Sequence, residues 1–296
     1  TQIPNYRTHT PFLDSLAQKG FYFTNIYANS IHSIEGISAV TAGMPTFQTA
    51  WVRSGYAQRE VSSLPNIARS LGYETLFAHG ATNGSMNFDG YTHQIGYQTY
   101  LGRTEFNDDR YYNGSWGIDD EPFLQFFAKK INQMKQPFLA TVFTLSSHGP
   151  YKVPEPHNKR FNKGDMLMHN VVEYSDYSIG KFFDTVKKES WYPNTIFAII
   201  PDHTTEDYYD FYKQKIAHHR LPIILFSANK KLIPQGSSDV LGQQIDIFPT
   251  LAYLMGYKQP FRSWGRSLLA NLPDETPRAF VTNTQFYQLI QGNYIY

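Results

Sequence analysis

No cysteine occurs anywhere in these 296 residues. That absence removes thiolate metal sites, cysteine nucleophiles and any disulfide framework. It is in keeping with a bacterial protein facing an oxidising compartment, a trait shared with many cytosolic proteins. Charge is also scarce, at 17% of residues, and nearly balanced: 26 Lys plus Arg against 25 Asp plus Glu. The chain therefore has no basic footprint for nucleic acid and no acidic tail. No apolar run approaches the roughly 18 residues of a membrane span, and no signal peptide is expected within these residues. The opening TQIPNYRTHTPF reads as the middle of a protein, so an excised soluble domain is expected.

What the chain does have is aromatic and apolar residues. Tyr and Phe number 22 each, and hydrophobic residues make up 41%, enough for a large core in one α/β domain. The aromatics read as core and cleft walls. Strand-like and helix-like segments alternate without repeats or low-complexity tracts. Thr10-Pro11 opens a helix that Gly20 ends, with Phe12, Leu13, Leu16 and Ala17 as its apolar residues. FYFTNIYA follows as a strand, then NSIHS, then a helix through Ala42-Gly43. Helices are also expected over Leu64–Leu71, from Asp119 to about Met134, over Val171–Lys188 and over Ile245–Met255. Strands are expected at Glu74–Ala78, Phe138–Leu145, Thr195–Ile200 and Leu221–Phe226. Residues 81–117 are too long for an ordinary connection and read as a functional excursion.

Strands that are nearly continuous in apolar residues argue a parallel sheet covered by helices on both faces. Such sheets collect ligands at the carboxyl ends of their strands. Ser30, His79, His148 and Asp202-His203 all fall just after a strand. A carboxylate and an imidazole side by side there suit a hard-to-borderline divalent metal, although such a dipeptide can also be a plain turn. Ser30 lies ahead of a helix, where free N–H groups favour a phosphate and a metal-bound hydroxyl becomes a nucleophile. Either Ser30 or Ser33 could instead simply cap that helix. His148 and His79 could each donate to a phosphoryl oxygen or serve as structural histidines. Of the pair His218-His219, at most one is expected in the site. Asp108-Asp109 and Glu206-Asp207 read as solvated loop charges, and Glu35 as a structural partner of the helix dipole.

With these residues in view, the chain resembles the catalytic domain of the sulfatase-like phosphoglycerol transferases of the alkaline phosphatase superfamily. The lipoteichoic acid synthases and osmoregulated-glucan phosphoglycerol transferases are the members it is most similar to. TPFLDSLAQKGFYFTNIYA resembles the family's opening helix and strand. In NSIHSIEG, Ser30 and Glu35 resemble its nucleophile and the glutamate five residues on. MNFDGY, WGIDDEPFLQFF, FTLSSHGPY, VVEYSDYSIGKFF, TIFAIIPDH and QIDIFPTLAYLMG resemble further family blocks, in the family's order.

The resemblance implies an alkaline phosphatase-like α/β fold over residues 1–270, with residues 271–296 as a small C-terminal antiparallel addition. It implies Ser30 as nucleophile and metal ligand, Asp202 and His203 as metal ligands, and His148 and His79 as substrate contacts; His219, of the pair before the strand LPIILF, is taken as a further substrate contact. One divalent ion is implied, manganese first, with magnesium or zinc as alternatives. The implied partners are a phospholipid head-group donor and a glycan or polymer acceptor. The implied location is the outer face of the bacterial inner membrane, reached through upstream spans, with no role for nucleic acid. The family's remaining ligand, a glutamate or aspartate ending a first strand, is expected upstream of Thr1. Asp14 lies within a helical pattern and cannot replace it. The synthases place a tryptophan and an arginine in the loop after His79; GSMNFDGY here is closer to the Gram-negative relatives. Phosphoethanolamine transfer, phosphodiester hydrolysis and sulfatase-type hydrolysis are alternatives. A non-catalytic glycerol-phosphate- or glycan-binding domain is a reading of another class.

Overall fold

The computed structural model describes residues 7–296 apart from 162–163, 206–208, 215, 271–274 and 284–285, and apart from the side chain at 211. In chain order the elements are α1 (Pro11–Lys19), β1 (Phe21–Tyr27), α2 (Ser33–Ala42), α3 (Leu64–Ser70), β2 (Glu74–His79) and α4 (Phe88–Ile95). There follow β3 (Thr99–Leu101), α5 (Arg103–Phe106), α6 (Asp120–Ile131), β4 (Phe138–Phe143), α7 (Leu167–Val186) and β5 (Phe197–Ile199). The chain continues through β6 (Arg220–Phe226), β7 (Gly236–Ser238), β8 (Gly242–Gln243) and α8 (Ile247–Leu254). It closes with β9 (Arg278–Thr282), β10 (Tyr287–Gln291) and β11 (Tyr294–Ile295).

The central strands form two hydrogen-bonded groups. One is β3-β2-β4, parallel throughout; the other runs β5-β6-β1-β7, with β8 also on β1. β1 is parallel to β7 and β8, while β6 is antiparallel to both β1 and β5. The sheet is thus α/β and mostly parallel, with β6 reversed. The reversal has a local cause: between β5 and β6 the described residues make only short 3-10 turns, so no helix carries the chain back across the sheet. A separate antiparallel sheet, β11-β10-β9, ends the chain.

Residues 81–117 hold more structure than their composition suggests. α4 buries Phe88, Tyr91, Thr92 and Ile95, a helical stripe interrupted in sequence by Gly90, and β3 pairs along β2. Met86 and Asn87, both at positive φ, turn the chain sharply into that helix.

One feature of the sheet bears on the site. Among the described residues β4 pairs only with β2 and β5 only with β6, so each has an edge on which no described strand lies. Every residue of β4 and of residues 195–200 is only half-buried, whereas β2 is buried from Thr75 to His79. The two strands nevertheless serve one core, in which Trp191 packs against both Phe138 and Phe197.

The loop leaving β4 is held by a buried carboxylate. Asp120, 2% exposed at the start of α6, accepts from the backbone N–H groups of Leu145 (2.8 Å) and Ser146 (3.1 Å) and from the Ser175 hydroxyl (2.9 Å). Burial pushes the Asp120 carboxyl up, and these donors oppose the shift. Asp120→Ala strands two backbone donors and a hydroxyl without water. It should lower the unfolding free energy by about 3 kcal/mol in urea titration; a loss below about 1 kcal/mol would show the clamp to be dispensable.

Candidate active site

Three strand exits and one helix start build the site. After β1 the chain is fixed by Asn29, 1% exposed, whose amide donates to Gln243 Oε1 (3.0 Å) and the Phe280 carbonyl (2.7 Å). Asn29 Oδ1 accepts from Ile245 N (2.9 Å), and its carbonyl accepts from Thr282 N (3.0 Å). Every polar group of the Asn29 side chain is therefore committed, and the following residues leave β1 in one direction. Helix α2 begins at Ser33 with His32 as its N-cap, so the Ser33 hydroxyl stands at the positive end of a ten-residue helix.

That hydroxyl meets the exit of β5. Ser33 Oγ lies 2.5 Å from Asp202 Oδ2 and 3.2 Å from His203 Nε2, and those two ligand atoms are 3.3 Å apart. His203 Nδ1 lies 2.6 Å from the Thr204 carbonyl. A carbonyl only accepts, so Nδ1 carries a proton there and Nε2 is the ring atom turned toward Ser33 and Asp202. Gln244, fully buried, donates from Nε2 to the carbonyls of Pro201 (3.0 Å) and Asp202 (2.7 Å). Gly36 completes the fit: a Cβ there would stand 2.8 Å from the Asp202 carbonyl oxygen.

Ser30, expected from the sequence to be the hydroxyl of this group, is elsewhere. Its Oγ donates to the Glu35 carboxylate, which also meets His32 Nδ1 at 3.0 Å. The reason is where the helix starts. With His32 as N-cap, the first helical residue, Ser33, faces β5, while Ser30 folds back onto the first turn. Sequence reading had Ser33 only as a possible cap, and missed Asn29, Gly36 and Gln244 as the residues that hold the group together.

The expected substrate-contacting histidines divide. His148 is exposed on the loop after β4, with Nδ1 on the Gly149 carbonyl (2.9 Å) and its ring 4.1 Å from that of Trp116. Trp116 in turn donates from Nε1 to the same Gly149 carbonyl (2.6 Å). Tyr151, at φ 59°, brings its hydroxyl within 3.2 Å of Thr205 Oγ1, tying the His148 loop to the Asp202-His203 loop. His79 is wholly buried at the end of β2 against Phe88 and Phe143, and neither ring nitrogen has a hydrogen-bond partner. His219 is not in the group: it is 1% exposed, its ring stands against Phe286 and its carbonyl accepts from Ala28 N. It supports the Ser30 loop from the side, because β6 pairs antiparallel with β1 and the turn before β6 lies beside the exit of β1. Asp108 and Asp109 are loop charges paired with Arg110 and Arg103; Glu206-Asp207 lie outside the described residues.

The donor set suits a metal. A hydroxyl oxygen, a carboxylate oxygen and an imidazole nitrogen at these spacings compare with the roughly 3 Å between donors that share one ion at about 2.1 Å. Mixed oxygen and nitrogen donors suit a divalent ion of hard-to-borderline character. Among the described residues no group of three or more His, Cys, Asp or Glu is arranged to hold an ion.

The chain belongs to the sulfatase family: the family model Sulfatase matches residues 2–257. Among curated relatives, it is 27% identical to lipoteichoic acid synthase 1 of Bacillus subtilis, over 90% of this chain and 45% of that protein. It is 24% identical to phosphoglycerol transferase I of Xanthomonas campestris pv. campestris, over 86% of this chain and 37% of that protein. The chain thus spans less than half the length of these relatives. Among solved structures, an alkaline phosphatase superfamily protein of Vibrio parahaemolyticus superposes with a TM-score of 0.86 at 29% identity, covering 97% of this chain and 70% of that one. The lipoteichoic acid synthase LtaP of Listeria monocytogenes shares the fold, with a TM-score of 0.82 at 18% identity, covering 98% of this chain and 76% of that one. These kinships make the chain part of an enzyme and its architecture that of the alkaline phosphatase superfamily.

Burial alone lowers the His79 pKa from 6.5 to about 4, so the ring is neutral at pH 7. The unfolded chain takes up a proton near pH 6.5 that the folded chain refuses until about pH 4. Stability is therefore lost as pH falls through that window, by up to ~3 kcal/mol at its lower end. His79→Phe, which fills the same aromatic box, should flatten this part of the melting temperature against pH. An unchanged acid limb in the variant would mean that His79 is not buried neutral.

Proposed function

We propose that this chain is the catalytic domain of a metal-dependent phosphoglycerol transferase, with Ser33 rather than Ser30 as the nucleophile. The observation that carries the reading is the contact of Ser33 Oγ with both Asp202 Oδ2 and His203 Nε2 at the start of α2. Kinship with a lipoteichoic acid synthase and a phosphoglycerol transferase supports the choice of transferred group. Ser33, Asp202 and His203 would hold the divalent ion, Mn2+ first, with Mg2+ or Zn2+ as alternatives. When bound, the ion would lower the pKa of the Ser33 hydroxyl and draw charge from the phosphoryl oxygens.

The rest belongs to the chain's own residues. Ser33 Oγ gives up its proton to solvent water and attacks the phosphorus of a phospholipid head group. The P–O bond to the diacylglycerol breaks, and the leaving oxygen takes a proton, for which His148 is our candidate donor. The glycerol phosphate is then an ester of Ser33. A glycan or polymer hydroxyl attacks it and gives its proton to His148; the bond from phosphorus to the Ser33 oxygen breaks, and that oxygen takes a proton back from solvent water. Free N–H groups at the start of α2 favour the anionic phosphoryl group by about 0.3–1 kcal/mol. Neutral His79, with both ring nitrogens unpartnered, is read as a further contact to the substrate.

Three donors leave room for one more ligand. We infer that the free edges of β4 and β5 receive a further strand of the longer polypeptide, ending in the carboxylate expected upstream. The same reading sets the domain on the outer face of the bacterial cytoplasmic membrane, held there by segments outside these residues. Among the described residues no helix is long and apolar enough to cross a membrane.

Ser33→Ala should lower turnover of a glycerophosphodiester by at least about a thousandfold, whereas Ser30→Ala should keep it within about tenfold. Trapping with substrate should add glycerol phosphate to the peptide bearing Ser33, read by mass spectrometry. An active Ser33→Ala enzyme, or an adduct on Ser30, would sink the assignment. Binding of glycerol phosphate with no turnover and no adduct would favour a non-catalytic binding domain.

A further inference from the structure

A cavity of about 670 Å³ opens where the C-terminal sheet meets the ends of α2 and the loop before α3. Its lining includes Ala42, Met44, Glu60, Arg262, Trp264 and Arg278. None of these residues belongs to the site around Ser33. Arg262 and Arg278 are exposed and have no ion-pair or side-chain hydrogen-bond partner among the described residues. Two arginines and one acidic residue, Glu60, thus line the cavity, and Arg278 also acts electrostatically on buried Asp246. Trp264 is 65% exposed, an unusual state for so large an apolar ring.

Trp264 also heads a strip of aromatic rings. It meets Phe47 edge-on at 5.7 Å, Phe47 meets Phe280 at 5.5 Å, and Phe280 stacks on Tyr287 at 5.9 Å. Phe47 and Tyr287 are each 48% exposed, and the Tyr287 hydroxyl donates to the Phe47 carbonyl. A contiguous exposed strip of this kind marks a binding surface. Its far end reaches the active-site loop. The Phe280 backbone bonds Gln243 Oε1 (2.8 Å) and Asn29 Nδ2 (2.7 Å), and Asn29 immediately precedes Ser30. Ala42, on the cavity wall, ends the ten-residue helix that Ser33 begins, a span of about 15 Å at 1.5 Å per residue.

We propose that this cavity and its aromatic strip form an acceptor site, for a linear chain of hydroxylated units that carry phosphodiester charges. Arg262 and Arg278 supply planar forks that match phosphate oxygens. Trp264 and Phe47 offer flat apolar faces to the carbon skeleton between the charges. The volume falls within the roughly 300–1,000 Å³ of ordinary ligand pockets. Concavity argues against a membrane surface, which needs protruding apolar tips rather than a recess. The inference rests on the transfer reading only in naming the ligand as the acceptor.

The test is calorimetric titration of the intact protein, without donor, using a synthetic glycerol-phosphate oligomer, a phosphoglycerol-substituted glucan and an unsubstituted glucan of equal length. Binding of either charged chain, tighter than the uncharged one and weakened by salt, is expected, and the tighter of the two names the source. Arg262→Gln with Arg278→Gln should weaken it by about tenfold or more, with the melting temperature unchanged. Trp264→Ala should weaken it by about fivefold and Trp264→Phe by less. Equal binding by wild type and the double variant, or no preference for the charged chains, would overturn the proposal. So would phosphatidylglycerol vesicles captured through these arginines while oligomer binding stays as it was. A protein that binds the oligomer but transfers nothing would sink the transfer reading alone. One that turns over donor without binding any oligomer would sink this site alone.

Discussion

The first turn of α2 lies directly on the backbone of Asp202, and the whole site depends on that contact. Gly36 makes it possible, since even a methyl group there would collide with the Asp202 carbonyl. The consequence is chemical. Two segments 169 residues apart in sequence come close enough for Ser33 Oγ to touch a carboxylate and an imidazole together. Gln244 holds Asp202 from its other side, and Asn29 fixes the approach to the helix. Neither hydrogen-bonds the Ser33 hydroxyl, yet both fix the two segments that bring it to its partners.

Much of the architecture was legible because burial and chain chemistry agree along most of it. Pro11, Gly20, Gly43 and Gly72 punctuate elements where helix termini demand them, and the apolar strands β1, β2, β4 and β6 are plain in the sequence. The reversal of β6 was not legible, since pairing direction is set by the connection and not by the strand. α4 was hidden by Gly90 and by the left-handed pair Met86-Asn87, although Phe88, Tyr91 and Ile95 keep helical spacing. At the site the dipeptide Asp202-His203 announced itself, but the choice between Ser30 and Ser33 turned on three residues of helix register. N-cap preferences favour a serine at the cap itself, whereas here His32 caps without a side-chain bond and the serine follows it.

Electrostatics divide the interior by task. Asp120 is deeply buried but surrounded by donors, so it works as a clamp on the loop that carries His148. Asp246, whose pKa burial raises to about 7, plays a like part, accepting from Gln243 N and Arg266 N beside α8. His79 differs from both. It is as deeply buried, yet its two ring nitrogens are unpartnered. A buried polar group without a partner costs about 1–3 kcal/mol, a cost that structural histidines avoid by finding a carbonyl. His203 does find one, and is oriented by it; His79 keeps both nitrogens free at the end of β2, and His219 keeps Nδ1 free. Two free nitrogens on one ring are what support the proposed role of His79 as a substrate contact.

The C-terminal sheet brings these strands of argument together. As a covering for the core it is a poor design, because it leaves Trp264, Phe47 and Tyr287 half in water. As a fixture of the site it is economical. β9 bonds both faces of Asn29, giving Thr282 N to its carbonyl and taking its amide on the Phe280 carbonyl. The peptide that sets the direction of the Ser33 loop is therefore the one that carries the aromatic strip. A ligand lying along that strip would therefore touch the ring of a residue, Phe280, whose backbone is bonded to Asn29 and Gln243 beside the start of α2.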